Sequence, residues 1–129
     1  MKINLARSAG FCFGVRRAID IALETSKAHR TVVMLGDIVH NDDVIDMIAK
    51  TGIKKIKTLG PGRGKILLVR AHGTAAQTYR WAERLGYKVV DATCPMVKEI
   101  HKIAVEIEKK GSPVIIIGAK KHAIAGDGG

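Results

Sequence analysis

Aromatic residues are scarce in this chain: two Phe, two Tyr and one Trp in 129 residues. Proteins that grip single-stranded nucleic acid stack its bases on aromatic platforms, so the scarcity disfavours that kind of partner. Cysteine is scarcer still. Two thiols, Cys12 and Cys94, are too few for a disulfide framework and too far apart for a local Cys-x-x-Cys metal knuckle. If they bind one thing, the fold must bring them together. Long apolar runs are missing as well: stretches such as KILLVRA and PVIIIGA fall far short of the roughly 20 residues that cross a bilayer. The opening MKINLARSAG lacks the apolar core of a secretory signal. Together these absences point away from a membrane and toward the cytoplasm. Acidic residues are outnumbered, 12 Asp and Glu against 22 Lys and Arg, for a net charge of +10. That balance favours an acidic partner such as nucleic acid, a membrane surface or a phosphorylated small molecule, and its sign alone does not choose among them.

What is present is a 47% hydrophobic content, enough for a core, distributed as short β-branched strands alternating with helical patterns. That order predicts an α/β fold, a parallel sheet with crossover helices. Residues 2–6 (KINLA) read as a strand. Residues 14–28 read as a helix with Val15, Ala18, Ile19, Ala22 and Leu23 on one face and Arg16, Arg17, Asp20, Glu24 and Lys27 facing out. TVVML (31–35) is the next strand, followed by a helix over 42–50 that Gly52 closes as a left-handed cap. GIKKI reads as a short edge strand and ILLVR (66–70) as a further strand. A helix then begins where Thr74 and Gln77 have capping-box spacing. YKVVDA (87–92) leads into a helix opened by Pro95, with Val97, Ile100, His101, Ala104 and Ile107 on one face. PVIII (113–117) is the last predicted strand. The stretch LGPGRGK (59–65) is not a nucleotide P-loop: Leu59 stands where glycine is needed, Ile66 replaces the Ser or Thr, and the stretch precedes a strand when it should follow one. It reads as a turn.

On these elements Cys12, His40, His72, Cys94 and His122 all fall between the end of a predicted strand and the next helix, the edge where parallel sheets bind ligands. His29 and His101 read as structural. Each cysteine stands just ahead of a helix start, where free N–H groups and the helix dipole favour thiolate over thiol. Two ligands of one metal centre, a redox pair and two packed apolar residues are all consistent with that placement. Histidines beside such a centre can donate to an anion or relay protons, and phosphate is the anion best matched to the charge.

The motifs GFCFGVRRAI, GDIVHN, RAHG and DATCPMVKEIH, in that order, resemble the N-terminal part of the LytB family of 4-hydroxy-3-methylbut-2-enyl diphosphate reductases. The resemblance runs from residue 2 to about residue 122. It implies three α/β units in a trefoil-like arrangement around a cavity, with residues 1–93 as the first unit and 94–129 as the start of a second. It also implies the last step of the methylerythritol phosphate route to isoprenoids, the reductive dehydroxylation of an allylic diphosphate. The family's cofactor is a 4Fe-4S iron-sulfur cluster held by three cysteines, two of which match Cys12 and Cys94; His40, His72 and His122 match histidines that contact the substrate. A reduced ferredoxin or flavodoxin-type protein is the implied electron donor. The sequence departs from the family in having no third cysteine, and in reading His122-Ala123-Ile124-Ala125-Gly126 where the family has His-Pro-Glu-Val-x-Gly with its proton-donating glutamate. The expectation is therefore a fragment with incomplete cluster ligation, whose partners include a chain carrying the missing units. The competing expectation is a non-catalytic basic α/β module that holds a phosphate ligand or RNA.

Overall fold

VVML and ILLV are apolar at every position, as strands covered on both faces must be. They form the two central strands, β1 (Val32–Leu35) and β3 (Ile66–Val69). In this computed structural model, which describes residues 1–7, 9–115 and 117, β2 (Lys54–Ile56) flanks β1 and β4 (Lys88–Asp91) flanks β3. The sheet is parallel throughout, in the order β2-β1-β3-β4. Strand alternation divides the core in two. Val32, Met34, Ile66 and Leu68 join Ala18, Ile19 and Ala22 of α1 (Phe13–Ala28) and Val44 and Ile48 of α2 (Asp42–Lys50). Val33 and Leu67 turn to the other face, onto Tyr87 and Ala82 of α3 (Ala76–Arg84). The final described helix, α4 (Pro95–Lys109), starts with proline at its first position, where the missing N–H costs no hydrogen bond.

Local chemistry sets the element ends. Asn41 caps α2, its Oδ1 accepting from the Val44 N–H at 3.0 Å, and Gly52 ends the same helix at φ +88°. The predicted turn at 59–65 is a turn: the N–H groups of Gly62 and Gly64 donate to the carbonyls of Leu85 and Gly86 at 2.7 and 2.8 Å. A Cβ at Gly62 would lie 2.7 Å from the Tyr87 backbone nitrogen, so only glycine permits this approach.

Four expectations need correction. Residues 2–6 form no strand; Ile3 and Leu5 are 77% and 86% exposed, because their alternation supplies an apolar face but no described strand pairs with them. Of the strand expected over 113–117, residue 116 lies outside the described residues and 113–115 and 117 form none; Ile115 and Ile117 are exposed, since no described strand pairs with them. The face predicted on the last helix is not buried: α4 has no buried residue, and only Val97 and Ala104 of that face are half-buried. The Thr74–Gln77 capping box does not form. Gly73 at φ +76° turns the chain so that Ala75 is the N-cap, and Thr74 lines a cleft with Gly36, Lys57 and Arg70. No helix among the described residues is long and apolar enough to cross a membrane.

Candidate functional site

Backbone hydrogen bonds continue beyond the ends of the strands and lace three loops together. The Ala71 N–H donates to the Ile38 carbonyl at 3.1 Å, that of Ala92 to Val69 at 3.0 Å, and that of Cys94 to Ala71 at 2.9 Å. Side-by-side loops bring distant residues together. His40 and His72 stack, with ring centroids 4.8 Å apart and planes 27° from parallel. They follow β1 and β3, the neighbouring strands between which the chain order reverses, since β2 lies on one side of β1 and β3 on the other. Such switch points open a crevice at the carboxyl edge of a parallel sheet.

Cys94, on the third laced loop, is the N-cap residue of α4, and Cys12 is the N-cap residue of α1. Neither cysteine side chain accepts from a first-turn N–H, so both residues occupy the N-cap position, at the positive end of each dipole, without capping the helix through sulfur. The two helix starts meet at Gly14, where an added Cβ would lie 2.5 Å from Cys94 Sγ and 3.0 Å from its Cβ. Gly14 is two residues along the chain from Cys12, so the start of α1 that follows Cys12 packs on Cys94. Both are free; Cys12 is exposed and Cys94 half-buried.

A polar cluster backs the same corner. Arg17 donates from its guanidinium to the Thr93 carbonyl at 3.2 Å. Asp91 Oδ1 accepts from the Thr93 N–H at 2.9 Å and from the Thr93 hydroxyl, while Lys98 Nζ lies 2.6 Å from Asp91 Oδ2. Burial alone would raise the Asp91 pKa, but hydrogen bonds from Lys98 and Thr93 outweigh it and hold the carboxyl below its ordinary value. An ionised carboxylate only accepts, so the Thr93 hydroxyl gives its proton to Asp91. The Tyr79 hydroxyl, 3.4 Å from Thr93 Oγ1, must then be the donor of that pair; burial raises its pKa and keeps the proton in place.

Of the five residues expected at this edge, His40, His72 and Cys94 lie on the laced loops. Cys12 reaches the same corner through the start of α1 and not from the end of a strand, since residues 2–6 form none. His122 lies outside the described residues. His29 sits at the far end of α1 as its C-cap. His101, read as structural, has its Cε1 3.6 Å from the Cβ position of Gly73, which places a further imidazole near the edge. Sequence reasoning also missed Gly14, Arg17, Asp91 and Thr93. Asp-x-Thr has the spacing of an Asx turn, a signal that was open to reading. Among the described residues no group of three or more His, Cys, Asp or Glu side chains is placed to hold a metal ion.

Fold and site together define a parallel α/β protein that sets two cysteines at helix N-cap positions beside an edge carrying a stacked histidine pair. Residues 3–125 match the family described as LytB protein, and the chain belongs to the LytB family. It is 38% identical over 124 residues to the 4-hydroxy-3-methylbut-2-enyl diphosphate reductase of Alkaliphilus oremlandii, covering 95% of this chain and 44% of that relative. With the reductase of the same name from Wolbachia pipientis it shares 41% identity over 128 residues, covering 95% of this chain and 41% of the relative. The chain thus spans less than half the length of these curated relatives. Among solved structures, the E-1-hydroxy-2-methyl-but-2-enyl-4-diphosphate reductase from Plasmodium falciparum superposes with a TM-score of 0.88 at 33% identity, covering 94% of this chain and 39% of that one. An (E)-4-hydroxy-3-methyl-but-2-enyl diphosphate reductase, described as the terminal enzyme of the non-mevalonate pathway, superposes with a TM-score of 0.83 at 32% identity, covering 97% and 45%.

Proposed function

We propose that this chain is the part of a LytB-type reductase that supplies two cluster thiolates and a histidine wall of the diphosphate site. The observation that carries the proposal is the close approach of Cys94 to Gly14, at the start of the helix whose N-cap is Cys12, beside the sheet edge that holds the His40–His72 pair. The reaction is reductive dehydroxylation: two electrons and two protons enter, the allylic C–O bond breaks, water leaves, and isopentenyl and dimethylallyl diphosphates form. When bound, a 4Fe-4S cluster supplies the electrons and an iron to take the hydroxyl. Cys12 and Cys94, each at a helix N-cap position, would be its ligands from this chain. His40 and His72 donate hydrogen bonds to diphosphate oxygens or hold a proton near them, with His122 as a third imidazole. Residues 1–93 make the first α/β unit, and the chain from Cys94 onward begins the next. A third thiolate and a carboxylic acid come from polypeptide other than these 129 residues. A reduced ferredoxin or flavodoxin-type protein delivers electrons, and the net charge of +10 suits an acidic donor. The cytoplasm is the compartment that keeps such thiols reduced.

Calorimetric titration of an allylic diphosphate and of a short RNA at two salt concentrations tests the proposal. His40→Ala and His72→Ala should each weaken diphosphate binding by about 1–3 kcal/mol, the scale of a lost hydrogen bond to a charged group. Tight RNA binding that falls steeply with salt, depends on Lys54, Lys55, Lys120 and Lys121 and ignores both histidines would instead identify a basic binding module.

A further inference from the structure

Thr93 is 2% exposed, and all of its polar atoms are engaged. Its carbonyl accepts from Arg17 of α1. Its N–H and hydroxyl both go to Asp91 at the end of β4, and its Oγ1 accepts from Tyr79 of α3. Lys98 of α4 holds the other oxygen of Asp91. Its methyl abuts the loop that carries His72: a Cβ at Gly73 would lie 3.1 Å from Thr93 Cγ2 and 3.4 Å from Oγ1.

A buried threonine needs partners for its polar atoms wherever it sits, and satisfaction alone is no sign of function. What sets Thr93 apart is which elements it joins. α1 carries Cys12 at its start, the Gly73 loop carries His72, and the next residue along the chain is Cys94. The Asp91 bonds fix the backbone that enters Cys94, and the Arg17 bond ties that backbone to the first turns of α1. We infer that Thr93, anchored by Arg17 and Asp91, is a positioning residue that sets the spacing between the Cys12 and Cys94 thiols. This inference rests on the proposal that both thiols serve one cluster, but the spacing itself can be measured on the chain without a cluster. Groups behind metal ligands orient them, and their loss typically weakens metal affinity by about 10- to 100-fold.

The test is titration of the reduced chain with cadmium(II), followed by sulfur-to-metal charge-transfer absorption, with Cys12→Ser and Cys94→Ser defining the signal that needs both thiols. Thr93→Ala and Arg17→Ala should lower cadmium affinity by about 10- to 100-fold, and Thr93→Ser, which restores the hydroxyl, should return it close to the parent value. Far-ultraviolet circular dichroism checks folding. Should Thr93→Ala unfold, Arg17→Ala, which removes one side-chain bond to the Thr93 carbonyl, decides the question. Parent-like affinity in the folded Thr93 and Arg17 variants overturns the inference, as does cadmium binding in the parent that needs only one thiol. Uptake of iron and sulfide is scored separately: its failure with thiol pairing intact counts against the cluster, not against the role of Thr93.

Discussion

A single methyl group at position 14 opposes two effects of known size. Alanine is the better helix former by about 1 kcal/mol, which favours Gly14→Ala within α1. Its Cβ would lie 2.5 Å from Cys94 Sγ and 3.0 Å from Cys94 Cβ, and Cys94 is tethered through its N–H to the Ala71 carbonyl. Overpacking costs about 1–3 kcal/mol, so Gly14→Ala should be destabilising on balance, by up to about 2 kcal/mol in urea unfolding. Asp91 gives a prediction of pH dependence. Its folded-state pKa lies below the ordinary 3.8, so its stabilisation is complete above that value and is lost as pH falls through the lower folded-state value. Asp91→Asn should cost about 1–3 kcal/mol at neutral pH, and the gap from the parent should narrow at acid pH below the carboxylate range. Urea midpoints across pH measure it, and a gap unchanged at the acid end contradicts the assignment. Cys12, His40, His72 and Cys94 were legible as residues because each stands next to a helix start or a strand end. Thr93 and Arg17 were not, because their roles depend on which loops the sheet order sets side by side.

At the scale of elements, periodicity was informative where both partners of a contact belong to the chain. VVML and ILLV were readable as strands, though not their central place in the sheet, and the spacing of Ala18, Ile19 and Ala22 announced the buried face of α1. The same reasoning failed for residues 2–6 and for α4, because a pattern tells which face is apolar and not whether anything covers it. Met96, Ile100, Ile103 and Ile107 recur at helical spacing along α4, yet all four are exposed. Ile103→Lys should therefore change the unfolding free energy of this chain by less than about 0.5 kcal/mol, as exposed substitutions usually do. Urea unfolding measures the change, and a loss of several kcal/mol would mean that α4 is packed in solution.

Across the whole molecule, one parallel sheet orders three loops so that residues far apart in sequence share an edge, and two helices point their N-termini into one corner. The chain has two cysteines in all, and each is the N-cap residue of one of those helices. The most direct measurement is anaerobic reconstitution of the chain with iron and sulfide, read as iron and acid-labile sulfide per chain and by electron paramagnetic resonance, beside Cys12→Ser and Cys94→Ser. On the proposed function the expected result is a labile cluster at well below one per chain, because the chain offers two cysteines to a cluster proposed to need three, with either substitution reducing it to background. A stable, stoichiometric cluster on the monomer, or cluster content indifferent to either cysteine, would contradict the assignment of Cys12 and Cys94 as an incomplete pair of cluster ligands.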